Sequence, residues 1–166
     1  MGILDLAPHL RDKRNPTNNL SELKGKILGI DVSILSVRFV KSDPRVIGRY
    51  HMLPKVPYLE LIHEYFGKII NLFKKYDIKC VFVLDGARNP LKFMENDRRN
   101  QYVVKAEEKL KKVYENMEEG TTSELNKLKK DATKVDEYMV AELISYFQRN
   151  NHLYVVAPCE ADSQLV

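Results

Sequence analysis

Residues 79–85 (KCVFVLD) decide the fold of this chain, because they form an apolar run that ends in a carboxylate. The pattern recurs at residues 27–31 (ILGID), and residues 153–156 (LYVV) are followed closely by Glu160 and Asp162. Short runs rich in Val and Ile, bounded by turn or helix signals, are typical of buried strands in a parallel sheet. The sequence therefore predicts an α/β protein with a mainly parallel central sheet flanked by helices.

The acids that follow these runs indicate a metal site. In an open α/β sheet the carboxyl ends of the strands meet at one edge, where ligands bind. Asp31, Asp85, Glu160 and Asp162 would repel one another there unless cations lay between them. Carboxylate oxygens suit Mg²⁺ or Mn²⁺, and two such ions would activate water against a phosphodiester. The alternative is that each acid only caps the next helix, a role that Asp often has.

A group of basic residues follows the second strand. If a helix begins near Pro90, Lys92 and Arg99 are seven residues apart and share one face. Cations on that face could bind a scissile phosphate beside the acids and stabilise developing charge. The alternative is a solvated basic face paired with Glu95 and Asp97, which spacing alone favours.

Residues 88–134 differ from the rest of the chain, with twelve Lys or Arg against nine Asp or Glu. The polar residues 120–123 (GTTS) divide two helical stretches, and the first half has few large apolar residues. We therefore expect a charged helical hairpin that stands off the core. Its second helix is expected to continue past Val135 and to dock on the sheet.

Three further segments complete the expected fold. Residues 58–75 carry apolar side chains at a 3.6-residue period, which predicts a helix packed on the sheet. Residues 41–57 contain three prolines and predict a loop. A final helix is expected to begin at Pro158, and the absence of a following strand predicts an incomplete fold, the N-terminal part of a longer protein.

Composition is ordinary, with 166 residues, 44% hydrophobic and 30% charged, and it fits one globular domain. The net charge of +4 permits a nucleic-acid partner without requiring one. No apolar stretch approaches the ~20 residues of a membrane span, so no membrane association is expected. Cys80 and Cys159 form no C-x-x-C motif, which favours a reducing compartment.

Four motifs together resemble one family. They are Met1–Ile3 at the start, residues 29–33 (GIDVS), residues 83–86 (VLDG) and residues 157–165 (APCEADSQL). Their order and spacing are similar to the N-terminal nuclease region of the XPG-like structure-specific nucleases, the 5′-flap endonucleases and 5′-exonucleases. The last motif is more similar to the exonuclease branch. The resemblance implies a PIN-like 5′-nuclease core over residues 1–166, with its C-terminal part missing.

The resemblance also implies the metal ligands. Asp31, Asp85, Glu160 and Asp162 match the family's metal-site acids, which bind two Mg²⁺ ions directly or through water, with Mn²⁺ as a substitute. The family's next acidic motif lies beyond residue 166, so this chain alone would lack ligands for the second ion and is expected to be inactive without them.

The nucleic-acid contacts follow in the same way. Lys92 and Arg99 match catalytic cations that contact the scissile phosphate, and Gly2 and Arg98 are expected to bind nucleic acid. Residues 88–134 match a helical gateway and arch under which a 5′ single strand passes. Val37 departs from the family, which usually has a base-stacking aromatic residue or His there, and stacking contributes ~1–3 kcal/mol per base.

The sequence thus predicts a metal-dependent structure-specific 5′ nuclease of DNA repair or replication. Its expected partners are DNA with a 5′ flap, end or junction and a repair or replication protein. The resemblance implies a monomer, located in the nucleus if the source is eukaryotic and in the cytoplasm otherwise. Two alternatives stay open. One is a PIN-like ribonuclease, and the other is a non-catalytic nuclease-like fragment that binds nucleic acid.

Overall fold

A three-stranded parallel sheet lies at the centre of the computed structural model, which describes residues 19–50, 59–87, 90–116 and 122–165. The strands follow the order β1-β2-β3 and are β1 (Ile27–Asp31), β2 (Lys79–Leu84) and β3 (Tyr154–Val156). Both pairs are parallel, with Asp31 opposite Val83 and Leu84 opposite Val156. The predicted α/β class and parallel sheet are confirmed.

The described residues also form six α-helices. They are α1 (Val32–Ser42), α2 (Pro44–Tyr50), α3 (Leu59–Lys75), α4 (Phe93–Asn116), α5 (Thr122–Ala132) and α6 (Glu137–Arg149). Short 3₁₀ turns occur at Leu20–Leu23, Pro90–Lys92 and Ala161–Gln164. Within the described ranges, no helix is both long and apolar enough to cross a membrane.

Helix α2 corrects the expectation of a loop over residues 41–57. Pro44 occupies the first helical position. Its fixed φ suits a helix there, and its lack of an N–H costs no helical hydrogen bond, because the first N–H groups of a helix have no acceptor within it. The Asp43 carboxylate accepts a hydrogen bond from the Arg45 backbone N–H at 2.8 Å, and Val46 is fully buried. The rest of the predicted loop, residues 51–58, lies outside the described residues.

Two helix predictions near the C-terminus were also wrong. The helix expected from Pro158 is only the 3₁₀ turn Ala161–Gln164. The helix expected to continue past Val135 is broken, because α5 ends at Ala132 and α6 has its own cap, in which the Asp136 carboxylate accepts from the Met139 N–H at 2.7 Å. Asp is a favoured N-cap, so a local signal for this second start was present.

A chain of aromatic rings joins four elements on one face of the sheet. Phe82 of β2 stacks on Phe147 of α6, with centroids 4.5 Å apart. Phe66 of α3 meets Phe147 edge-on at 5.9 Å, and Phe39 of α1 meets Phe66 at 6.2 Å. All four side chains are at most 1% exposed. These rings are the centre of the main core.

The opposite face of the sheet carries a smaller cluster. Val83 packs there with Ala157, Ala161 and the partly buried Leu165. Gly29 of β1 leaves room for the Leu165 side chain, because a Cβ at residue 29 would lie only 2.5 Å from a Leu165 methyl carbon. The turn after β3 therefore packs back against β1 and β2, beside their carboxyl ends.

Helices α4 and α5 form a pair with a third cluster of their own. Its buried members are Ala106, Leu110 and Ala132, with Leu125 and Leu128 packed against them. No phenylalanine takes part, in contrast to the main core. The cluster consists of alanine and leucine side chains, in a part of the chain that is rich in charged residues.

Replacing Phe147 by Ala tests the aromatic core. Phe147→Ala removes a fully buried ring that contacts Phe82 and Phe66, and we expect the free energy of unfolding to fall by about 3–5 kcal/mol. Chemical denaturation measures the change. Phe93→Ala is the matched control, because that side chain is 72% exposed, and it should stay within about 0.5 kcal/mol of the parent. Similar losses in the two variants would contradict this assignment of the core.

Candidate functional site

Backbone hydrogen bonds hold the segments after β2 and β3 side by side. The Gly86 N–H donates to the Cys159 carbonyl at 2.6 Å, and the Ala87 N–H donates to the Pro158 carbonyl at 3.1 Å. Both contacts lie just past the carboxyl ends of the strands. This is the edge at which ligands bind in open α/β sheets.

Gly86 is required by this close approach. A Cβ built on Gly86 would lie 1.8 Å from the Ala157 carbonyl oxygen, a distance that no real side chain tolerates. The obstacle is backbone rather than the end of a flexible side chain, so it cannot turn away. A glycine after Asp85 is therefore what allows the two segments to touch.

Asp85 connects two other elements at this edge. One carboxylate oxygen accepts a hydrogen bond from the Ser33 hydroxyl at 2.5 Å, and the other accepts from the Ala161 N–H at 2.8 Å. Ser33 lies in the first turn of α1, and Ala161 stands between Glu160 and Asp162. The predicted meeting of Asp85 with the acidic turn after β3 is thus present in the structure.

Asp31 has the helix-capping role that was the alternative to metal binding. Its Oδ1 accepts hydrogen bonds from the Ser33 N–H at 2.7 Å and the Ile34 N–H at 3.3 Å, at the start of α1. Asp31 also pairs in register with Val83, two residues before Asp85. Because side chains alternate along strands, this register places Asp31 and Asp85 on the same side of the sheet.

Lys92 reaches the acidic turn as predicted. Its ammonium group donates a hydrogen bond to a carboxylate oxygen of Glu160, with both side chains partly buried. That hydrogen bond is the largest cause of a raised Lys92 pKa, and the charges of Glu160 and Asp162 add to it. Lys92 is therefore firmly protonated beside the acids.

Arg98 and Arg99 are placed differently. Both guanidinium groups pair with Glu95, at 3.1 and 3.0 Å, on the exposed surface of α4. The helix begins at Phe93, so Lys92 belongs to the preceding 3₁₀ turn and does not share a continuous α-helical face with Arg99. The alternative interpretation, a basic face paired with neighbouring acids, describes the two arginines in this structure.

The two arginines line a groove that sequence analysis missed, and a second pocket that shares two of its residues lies beside Asp85. Arg98 and Arg99 line an open groove of 970 Å³, together with Val37 of α1 and Val135 before α6. A smaller pocket of 250 Å³ beside Asp85 is lined by the same two valines. Two lysines also line the larger groove, Lys41 and Lys134. No sequence signal could have found it, because it depends on how three helices pack.

The four acids do not stand as one ligand group. Among the described residues, no three His, Cys, Asp or Glu side chains are grouped as a metal site would require. Asp31, Asp85 and Glu160 each accept hydrogen bonds from a different protein group. The donor type still fits Mg²⁺ or Mn²⁺, and the Lys92 ammonium already provides a cation beside Glu160. Gly2 lies outside the described residues.

Known proteins similar to this chain point to one family. The family model of the XPG N-terminal domain matches residues 1–106. Exonuclease 1 of Arabidopsis thaliana is 27% identical over 165 residues, which are 99% of this chain and 21% of that protein. Flap endonuclease 1 of Caldivirga maquilingensis is 28% identical over 164 residues, 99% of this chain and 46% of that protein. The chain thus spans less than half the length of these curated relatives.

A solved structure with the same fold is the catalytic core of Rad2 in complex with DNA substrate. It matches with a TM-score of 0.61 and 19% sequence identity, over 97% of this chain and 38% of that chain. At 19% sequence identity, this structural match is evidence for the fold alone. It agrees with the parallel sheet flanked by helices described above.

Gly86→Ala tests the contact between the two segments. The added methyl group would collide with the Ala157 carbonyl, so we expect a loss of about 1–3 kcal/mol in the free energy of unfolding. Gly67→Ala in α3 is the control, because a Cβ there lies 3.7 Å from its nearest neighbour. It should leave stability unchanged or raise it by about 0.5–1 kcal/mol, since alanine favours a helix. Equal stability of the two variants would refute the close approach.

Glu160→Gln tests the link between Lys92 and the acidic turn. Removing the carboxylate removes the largest cause of the raised Lys92 pKa, which we expect to fall toward the ordinary lysine range. In the parent, the ion pair stabilises the fold at neutral pH and is lost as pH rises through the raised Lys92 pKa. An NMR titration of the Lys92 side chain measures the shift. Glu95→Gln, which removes a partner of arginines only, should leave that titration unchanged.

Proposed function

The chain belongs to the XPG N-terminal domain family, and we propose that it forms the N-terminal part of the catalytic core of a divalent-metal-dependent 5′ nuclease acting on DNA. The contacts at the carboxyl edge of the sheet carry the proposal. There Asp85 is held between Ser33 and the turn after β3, and Glu160 of that turn binds Lys92. The relatives' names, Exonuclease 1 and Flap endonuclease 1, support a nuclease that acts on strand ends or flaps.

The metal ligands we propose are Asp31, Asp85, Glu160 and Asp162. Both cap bonds of Asp31 end on Oδ1, which leaves Oδ2 available as a ligand. Each carboxylate oxygen of Asp85 accepts one hydrogen bond, and such an oxygen has a second lone pair. Mg²⁺ or Mn²⁺ bound to these acids would lower the pKa of an attacking water and stabilise the leaving oxygen of the phosphodiester.

The proposed role of Lys92 and Arg99 is to bind the scissile phosphate. Lys92 stands at the acidic turn and would exchange Glu160 for a phosphate oxygen, stabilising charge as it develops there. To bind a phosphate, Arg99 would have to break its exposed ion pair with Glu95. Exposed pairs of this kind are worth about 0–1 kcal/mol, so the exchange is easily offset by a phosphate contact. Arg98, and Gly2 at the N-terminus, would add further nucleic-acid contacts.

The groove between α1, α4 and the segment before α6 is the proposed path of a single strand. Arg98 and Arg99 lie on its wall, and the pocket that continues it reaches Asp85. Val37, common to both, offers an aliphatic surface in place of a ring, so it would position a base less firmly. Residues 88–134 would then act as the gateway and arch over that strand.

Several finer assignments belong to the same proposal. Relatives of the exonuclease and the flap-endonuclease kind match almost equally, at 27% and 28% identity, so preference for the exonuclease branch rests on the Glu160–Asp162 motif alone. DNA repair or replication, a monomeric state, a protein partner and a nuclear location are proposed from the family. A PIN-like ribonuclease is the rival enzyme, and an RNA copy of the substrate separates the two.

A non-catalytic DNA-binding fragment is the second candidate. It is favoured by one observation: Asp31 and Asp85 both accept hydrogen bonds from protein groups at this edge. Under this reading the basic groove binds DNA, while Asp31 and Asp85 serve only as structural caps. Cleavage and binding must therefore be measured separately.

Asp85→Asn tests the proposed chemistry on a labelled 5′-flapped DNA with Mg²⁺. The substitution keeps an oxygen acceptor but removes the charge, and we expect cleavage to fall by about a hundredfold or more while DNA binding persists. Asp97→Asn is the matched control, because Asp97 is exposed on α4, where it accepts a hydrogen bond from the Gln101 side chain of the same helix.

Three outcomes are informative. Mg²⁺-dependent cleavage by the parent and Asp97→Asn, but not by Asp85→Asn, supports the nuclease. Equal cleavage by all three would contradict the role of Asp85. Binding of flapped DNA without cleavage by any of them would show that the residues of this chain bind DNA but do not cleave it by themselves.

A further inference from the structure

A separate pocket lies between α3 and α6, away from the carboxyl edge. It encloses 420 Å³, within the ~300–1,000 Å³ typical of small-molecule sites. Lys74 near the end of α3 and His152 just before β3 both line it. These positions lie at the amino ends of the strands, whereas Asp85 lies at the carboxyl ends. The pocket is therefore distinct from the site described above.

A buried phenol forms one wall of this pocket. Tyr146 is only 2% exposed, and its ring meets His63 at 4.7 Å and His152 at 5.7 Å between centroids. Its hydroxyl faces Gly67, where a Cβ would be 3.7 Å away, and Tyr146 is among the residues that line the pocket. A phenol hydroxyl can both donate and accept, so at this wall it can donate a hydrogen bond to a ligand.

The charges around the pocket are mainly positive. Lys74 and His63 both lower the pKa of His152, after burial as the first cause, which indicates that cationic groups converge there. The one carboxylate in the lining, Glu64, is already paired with Arg45 and Lys68, each at 2.8 Å. Those two partners hold the pKa of Glu64 at about 2. The lining thus favours an anion over a metal cation.

We propose that this pocket binds the phosphate group of a small phosphorylated ligand. The Tyr146 hydroxyl and the imidazoles of His63 and His152 would donate hydrogen bonds to its oxygens, and Lys74 would balance its charge. Free inorganic phosphate and a nucleoside monophosphate share this chemistry. The pocket contains none of the acids at the carboxyl edge, so this proposal and the nuclease proposal can be tested independently.

NMR of the histidine side chains tests the site directly. The chain, labelled with ¹⁵N-histidine, is titrated with inorganic phosphate and, separately, with a nucleoside monophosphate, at constant pH and at ionic strength held constant with chloride. We expect saturable shifts of the His63 and His152 imidazole signals. Tighter binding of the nucleotide than of phosphate would identify a nucleotide as the source, and equal binding would identify phosphate alone.

Two variants and a control assign the contacts. Tyr146→Phe keeps the ring and removes the hydroxyl, and Lys74→Gln removes the charge at the rim; each should weaken the apparent affinity about tenfold. Lys75→Gln removes a neighbouring charge that does not line the pocket, and it should bind as the parent does. Shifts that do not saturate, or that are the same in Lys74→Gln and Lys75→Gln, would overturn the proposal. Circular dichroism of each variant confirms that it is folded.

Discussion

The close backbone approach of two strand ends is the constraint on which the candidate site depends. Gly86 and the Ala157 carbonyl touch because residue 86 has no side chain, and hydrogen bonds from residues 86 and 87 then fix the segments together. Without that contact, Asp85 would not meet the Ala161 N–H, and the Glu160 turn would not face Lys92. A glycine thus positions charged groups that it does not itself contact.

Electrostatics explains why the acids can stay near one edge in this structure. Each carboxylate is matched to a donor: a helix N-terminus for Asp31, a hydroxyl and a peptide N–H for Asp85, and an ammonium group for Glu160. Hydrogen bonds of this kind offset part of the mutual repulsion between the acids.

Much of the fold could be predicted from local pattern, and the misses have physical causes. Strand β2 has its predicted bounds, Lys79–Leu84, because a buried parallel strand is a continuous apolar run. Helix α2 falls within the predicted loop, because three prolines in a short segment usually interrupt helices. Pro44, however, occupies the first helical position, where proline is favoured. The meeting of Asp85 with Ser33, fifty-two residues away, and the groove shared by Val37 and Val135 depend on tertiary packing. No periodicity or spacing along the chain encodes such contacts.

The separate cluster of α4 and α5 has a consequence for how the molecule opens. Its fully buried side chains are two alanines and one leucine, and they are not part of the aromatic chain that stabilises the sheet. Elements with few buried apolar contacts have lower local unfolding free energies than the core to which they are attached. The two helices can therefore separate as a subglobal unit while the sheet remains intact. Amide hydrogens in α4 and α5 would exchange with solvent before those of β2, and a protease would reach this pair first.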